Sequence, residues 1–176
     1  MFHAADLMNL MPVTVKGGHH TFLSAFDPAA VLQLLRDEAV NVTLLVPTMV
    51  NMTVNHPSVA DYDLSSLRHL AYGASPMPEA VIMRAMQVMP DVQFYHAYGQ
   101  TECAPLTSVN GPESHVFDGP MANMYRSCGR SAPGVLVEIR DENDQEVPRG
   151  EVGEICVRGA NVMQGYWKLP DLTAET

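Results

Sequence analysis

The densest chemistry in the chain lies in Tyr98-Gly99-Gln100-Thr101-Glu102, where an aromatic, a glycine, a hydroxyl and a carboxylate follow one another within five residues. The Tyr98 ring can lie against a flat ligand, and Gly99 permits close backbone approach. The Thr101 hydroxyl can bond a phosphate oxygen, and Glu102 can offer a hard oxygen ligand to Mg²⁺. The same residues also suit a plain turn, with Thr-Glu capping a helix. A second cluster, Gly73-Ala74-Ser75-Pro76, has the outline of a nucleophile elbow, but Met77 stands where its second glycine belongs. Pro76 has no N–H to give to an oxyanion, so serine hydrolysis is disfavoured on physical grounds. Small residues there better suit a backbone surface for a planar ring. His19, His20, His56, His69, His96 and His115 show no ligand-like spacing with the cysteines, which favours solvated or hydrogen-bonded histidines over a metal centre.

Both clusters need elements to hold them. Asp27 is a candidate N-cap and Pro28 a first helical residue, after which Val31, Leu32 and Leu35 recur at helical spacing. The apolar, β-branched run 42–46 predicts a buried strand ended by Pro47. A helix over 47–55, a strand over 68–72, a helix over 78–89 ended by Pro90, and a strand over 92–95 follow. That alternation predicts βαβ units and a parallel sheet. Ligands of such a sheet bind beyond the carboxyl ends of its strands. The turns at Pro47-Thr48, Gly73–Pro76 and Tyr98–Glu102 would then share one edge, and that edge is the expected site.

Past Gly129 the texture changes. Val135, Val137 and Ile139 alternate, Asp141-Glu142-Asn143-Asp144 supplies turn chemistry, and Val152, Ile155 and Val157 form a further strand. With no helical stripe between them, these runs predict an antiparallel pair. The expected architecture is therefore α/β: a βαβ parallel sheet with helices over 1–128, then a small antiparallel β-rich subdomain from 129 to 176.

Composition narrows the partners. The chain has 176 residues, 47% of them hydrophobic, and a formal net charge of −10, a surface that repels phosphate backbones and anionic lipid. Nucleic acid and membrane surfaces are thus unexpected partners, and no apolar run approaches the length of a membrane span. Three cysteines, Cys103, Cys128 and Cys156, are too few and too scattered for a disulfide scaffold or zinc knuckle. A cytoplasmic α/β protein is expected. Most of the twelve methionines suit core gap-filling.

The residues 97–102 resemble the Tyr-Gly-x-Thr-Glu signature of the adenylate-forming acyl-CoA synthetases. Met1-Phe2-His3 looks like that family's Phe-His segment, and Ser66-Leu67-Arg68 through Gly73-Ala74-Ser75-Pro76 like its adenine-loop region. Gly129-Arg130 with Pro133-Gly134, and Gly150-Glu151-Val152-Gly153-Glu154 through Gly165-Tyr166-Trp167, match further stations in the same order. The resemblance implies an ATP-dependent ligase: a carboxylate attacks the α-phosphate of ATP, giving an acyl-adenylate and pyrophosphate, and the thiol of coenzyme A then displaces AMP. It implies that Tyr98 stacks on adenine, that Gly73, Ala74 and Ser75 form the adenine-loop backbone, and that Thr101 binds phosphate. Glu102 would hold Mg²⁺, His3 would sit near the carboxylate, and Gly99 would border the acyl pocket, with Phe22, Met49, Met52, Phe94 and His96 as further contributors.

Nothing in the chain matches the family's Ser/Thr/Gly-rich phosphate loop, its ribose-binding aspartate or its catalytic lysine. Without that loop and the lysine, phosphoryl chemistry lacks the cationic groups it depends on. The expectation is an internal piece of a longer synthetase that binds ATP weakly, turns over no substrate by itself, and self-associates through a sheet edge left unpaired. His96-Ala97 and Gln100 stand where amino-acid-activating domains carry Asn and Pro, which favours the acyl-CoA branch; a luciferase-like relative and a non-catalytic nucleotide-binding or dimerising module are the other expectations.

Overall fold

The computed structural model describes residues 3–176, so the expectation for Met1 and Phe2 lies outside the described residues. Three parallel strands form the scaffold, and the sequence explains each junction. The Asp27 carboxylate accepts the Ala30 N–H at 2.8 Å and starts α2 (Pro28–Asp37), whose Val31, Leu32 and Leu35 are buried. Strand β1 (Val42–Leu44) leads through Pro47, the first residue of α3 (Pro47–Val54). Strand β2 (His69–Gly73), α4 (Glu79–Val88) and β3 (Gln93–Tyr98) complete the alternation. The pairing is parallel, Val42 opposite His69 in the first pair and His69 opposite Gln93 in the second.

Alternation across the pleat decides the core. Leu70, Tyr72 and Phe94 are buried with Val81, Ile82, Ala85 and Met86 of α4 and with Leu45, Val50 and Val54. Phe94 belongs to this core and not to a ligand pocket, which corrects the expectation placed on it; Phe22 and Met52 are exposed.

The sheet does not stop at its parallel part. Strands β4 (Ser108–Asn110) and β5 (Arg130–Ser131) extend it antiparallel, giving the order β1-β2-β3-β4-β5. Strand β5 lies past residue 128, so the first sheet closes at Ser131. A separate antiparallel pair follows, β6 (Val135–Arg140) with β7 (Glu154–Gly159). The Asp141 carboxylate accepts the Asn143 and Gln145 N–H groups at 2.9 Å and folds the intervening turn. Two helices complete the structure, α1 (Ala4–Val15) and α5 (Pro170–Glu175). Among the described residues no helix is long and apolar enough to cross a membrane, and the three cysteines are free thiols.

The buried face of β2 and β3 carries one polar network. His115 Nδ1 lies 2.8 Å from the Gly111 carbonyl oxygen, and Nε2 lies 2.8 Å from the Tyr72 hydroxyl. A carbonyl can only accept, so Nδ1 carries the proton and the neutral ring accepts from Tyr72 at Nε2. The His96 ring stacks on Tyr72 with centroids 5.1 Å apart, and its Nδ1 donates to the Ser127 carbonyl at 3.2 Å. Burial lowers the His115 pKa below the ordinary imidazole value and outweighs the Gly111 hydrogen bond; His96 lowers it further and Glu113 raises it.

The folded state therefore prefers neutral His115, while the unfolded chain takes up the proton first as pH falls. Urea unfolding should show stability that is complete above the ordinary imidazole pKa and declines as pH drops below it. In H115Q the His115 part of that slope should vanish; an unchanged slope between pH 5 and 7 would contradict the assignment.

Candidate functional site

Gly73 ends β2 and pairs with Ala97 near the end of β3, so the two chemically dense turns leave neighbouring parallel strands at the same end. A methyl group added at Gly73 would collide with the Ala97 carbonyl oxygen. That contact requires glycine at 73 and presses the two strand ends together. Gly99 is required for a different neighbour. Its added methyl would fall on the Pro105 carbonyl, because the chain folds back at once and the Thr107 N–H donates to the Tyr98 carbonyl at 2.9 Å. Gly99 is thus first a closure point of the 99–107 loop.

Thr101–Cys103 forms a single 3₁₀ turn, ended by Ala104 in the left-handed region at φ 49°. In the first loop Ala74 is also left-handed, at φ 67°. Each non-glycine residue held there is strained by roughly 1–2 kcal/mol, and both border the expected ligand edge. Ala74, Ser75 and Thr101 are exposed, while Tyr98, Gly99 and Glu102 are partly buried. The far end of the Gly73 loop is fixed at the start of α4. There the Tyr125 hydroxyl donates to the Glu79 carboxylate at 2.8 Å and the Arg126 guanidinium pairs with its other oxygen. Tyr125 first, then Arg126, hold the Glu79 carboxyl below the ordinary range.

Sequence reasoning missed what holds Glu102. The Tyr166 hydroxyl donates to Glu102 Oε1 at 2.6 Å, and the Met163 N–H donates to the Glu102 carbonyl at 2.8 Å. Asn161 Nδ2 donates to the Cys103 carbonyl at 2.8 Å. Tyr166 and then the residue's own backbone N–H lower the Glu102 pKa, so the carboxylate is ionised at neutral pH. No group of three metal-ligating side chains exists among the described residues. Glu102 alone suits Mg²⁺, which is commonly held by one or two carboxylates with water and substrate phosphate supplying the rest. The structure brings Gly73, Ala74, Ser75, Tyr98, Gly99, Thr101 and Glu102 to one edge. His3 instead caps α1, exposed, its backbone N–H donating to the Asp6 carboxylate at 3.2 Å. Helix α1 packs on β1, the strand at the end of the sheet.

The chain that carries these turns at the ends of a mixed sheet belongs to the family of AMP-binding enzymes, whose model matches residues 1–167. It is 40% identical over 176 residues to the feruloyl-CoA synthase of an Amycolatopsis species, covering 99% of this chain and 34% of that protein. It is 36% identical over 165 residues to the medium/long-chain-fatty-acid–CoA ligase FadD8 of Mycobacterium tuberculosis, covering 94% of this chain and 28% of the relative. Among solved structures, the amide bond synthetase McbA from Marinactinospora thermotolerans superposes with a TM-score of 0.78 at 34% identity, over 88% of this chain and 30% of that one. The chain spans about a third of the length of these curated relatives.

Replacing Gly99 tests the closure directly. G99A should destabilise the chain by about 1–3 kcal/mol, the ordinary range for overpacking, measured as a lowered urea midpoint at unchanged m-value. A midpoint equal to that of the parent would show that the 99–107 loop is not closed as described.

Proposed function

We propose that this chain forms the adenine- and metal-binding part of an ATP-dependent acid–thiol ligase that converts a carboxylic acid to its acyl-adenylate and then to an acyl-CoA. The observation that carries this reading is the Gly73–Ala97 pairing, which sets the two turns side by side at one sheet edge. The family membership and the acyl-CoA-forming relatives support the reaction class.

In this reading the backbone of Gly73, Ala74 and Ser75 is the floor on which adenine lies, with the Tyr98 ring stacked against it. The Thr101 hydroxyl donates to an α-phosphate oxygen, and ionised Glu102 holds Mg²⁺. When bound, Mg²⁺ would offset negative charge on the phosphates. A carboxylate oxygen of the acid forms a bond to the α-phosphorus as the bond to pyrophosphate breaks. The thiol of coenzyme A then attacks the acyl carbonyl, losing its proton, and AMP leaves. The site residues act by position and electrostatics, since none supplies a nucleophile of its own. Gly99 stands at the wall between nucleotide and acyl group. His3, at the start of α1, would sit near the carboxylate of the acid.

A second acceptor is favoured by one observation, the likeness to an amide bond synthetase: an amine in place of the thiol would attack the same adenylate. We further infer a cytoplasmic setting, supported by the free thiols of Cys103, Cys128 and Cys156. Self-association through β1 is supported by its place at the end of the sheet and by the exposure of Val42.

Calorimetry on the 176-residue chain tests the site. ATP should bind more tightly with Mg²⁺ than without, and E102Q should abolish the difference while leaving Mg²⁺-free AMP affinity intact. AMP or ATP binding with no Mg²⁺ dependence would instead identify a non-catalytic nucleotide module. Sedimentation across the micromolar range should show a concentration-dependent dimer, and a Val42→Lys variant should shift it to monomer; a parent that stays monomeric removes the edge-pairing proposal.

A further inference from the structure

The turn that carries Thr101 and Glu102 receives part of its support from a segment some sixty residues away. Three residues of the stretch after β7 make the crossing bonds. Asn161 Nδ2 reaches the Cys103 carbonyl at 2.8 Å and the Leu106 carbonyl at 3.3 Å, the Met163 N–H reaches the Glu102 carbonyl, and the Tyr166 hydroxyl reaches Glu102 Oε1 at 2.6 Å. The first two fix backbone. Only the third fixes the functional group itself, as a charge-assisted O–H···O⁻ bond of the short, strong kind.

Tyr166 is itself held on both sides. Its N–H donates to Thr173 Oγ1 at 2.9 Å, its carbonyl accepts the Leu169 N–H at 3.2 Å, and Thr173 Oγ1 in turn donates to the Leu169 carbonyl at 2.9 Å. Gly165, at φ 141°, sits where any side chain would collide with Thr173, so the Gly165–Tyr166 step is pressed against α5. A backbone so anchored fixes the point from which the phenol reaches the carboxylate. Neighbouring Trp167 is 86% exposed and takes no part in the bond.

We propose that Tyr166 is a positioning residue for Glu102. Its phenol holds Oε1 and so fixes the direction in which the carboxylate presents itself to a cation. The inference rests on the reading that Glu102 holds Mg²⁺, and it assigns to the β-rich segment a part in building the nucleotide site. Thr173 stands behind Tyr166 as the anchor of its backbone.

Two measurements on the 176-residue chain decide it. In the first, Y166F should weaken Mg²⁺-dependent ATP binding about tenfold, as loss of a hydrogen bond to a charged group does, and leave Mg²⁺-free AMP affinity unchanged. In an E102Q background the same substitution should add nothing further. In the second, amide hydrogen exchange at residues 101–104 should be faster in Y166F than in the parent, with exchange in β2 and β3 unaltered. Equal loss of AMP and Mg²⁺–ATP affinity would mean that Tyr166 merely supports the fold, and unchanged affinity together with unchanged exchange would also overturn the assignment. If the parent chain binds no nucleotide, the proposed function fails, and the exchange comparison still decides whether Tyr166 positions the turn.

Discussion

Where Gly73 and Ala97 pair, two backbones approach so closely that no side chain fits between them. Most of the site follows from that approach. Parallel pairing sends both chains out of the sheet at one end, and the absent side chain brings their turns close together there. On the buried side of the same strands, Tyr72 and Phe94 lock the sheet to α4, while the imidazole of His115 satisfies the Tyr72 phenol in that core. A rigid underside and a tight strand junction are what allow two strained alanines, Ala74 and Ala104, to persist in the left-handed region above it.

The β-rich segment has two relations to this platform. Strand β5 joins the first sheet by pairing with β4, and the chain enters β6 a few residues later. The loop after β7 then returns to the Thr101–Cys103 turn through Asn161, Met163 and Tyr166. A two-stranded sheet is marginal in water, so these returning bonds stabilise the segment as much as they stabilise the turn. The candidate site is therefore composite, with the Gly73 turn in the first sheet and the support of the Glu102 carboxylate in the second segment.

Much of this was legible before any coordinates. The β1–α3–β2–α4–β3 alternation announces itself through Pro47, Pro90 and helical stripes, and the observed strands fall within a few residues of the expected ones. The turn residues carry their own chemistry, so the site edge could be placed from strand order alone. Three things left no readable trace. Helix α1 contains Pro12 in its interior and buries no residue, so neither a proline-free run nor a core-facing side marks it as a helix. Strands β4 and β5 are three and two residues long, too short for alternation, and their buried Ser108 and Asn110 serve the carbonyls of residues 124–128. The third is the partner of Tyr166: its Gly-Tyr-Trp step resembles a family station, but only the returning path of the chain reveals which carboxylate the phenol meets.

The orientation of the His115 ring has a spectroscopic corollary. Its Nδ1 proton is committed to the Gly111 carbonyl, and the residue is 7% exposed, so bulk water has little access to that proton. A proton sequestered in this way exchanges slowly enough to give a resonance of its own, far downfield of the amides. The core beneath the two turns thus contains an intrinsic, label-free reporter of whether β2 and the Gly111 loop remain docked.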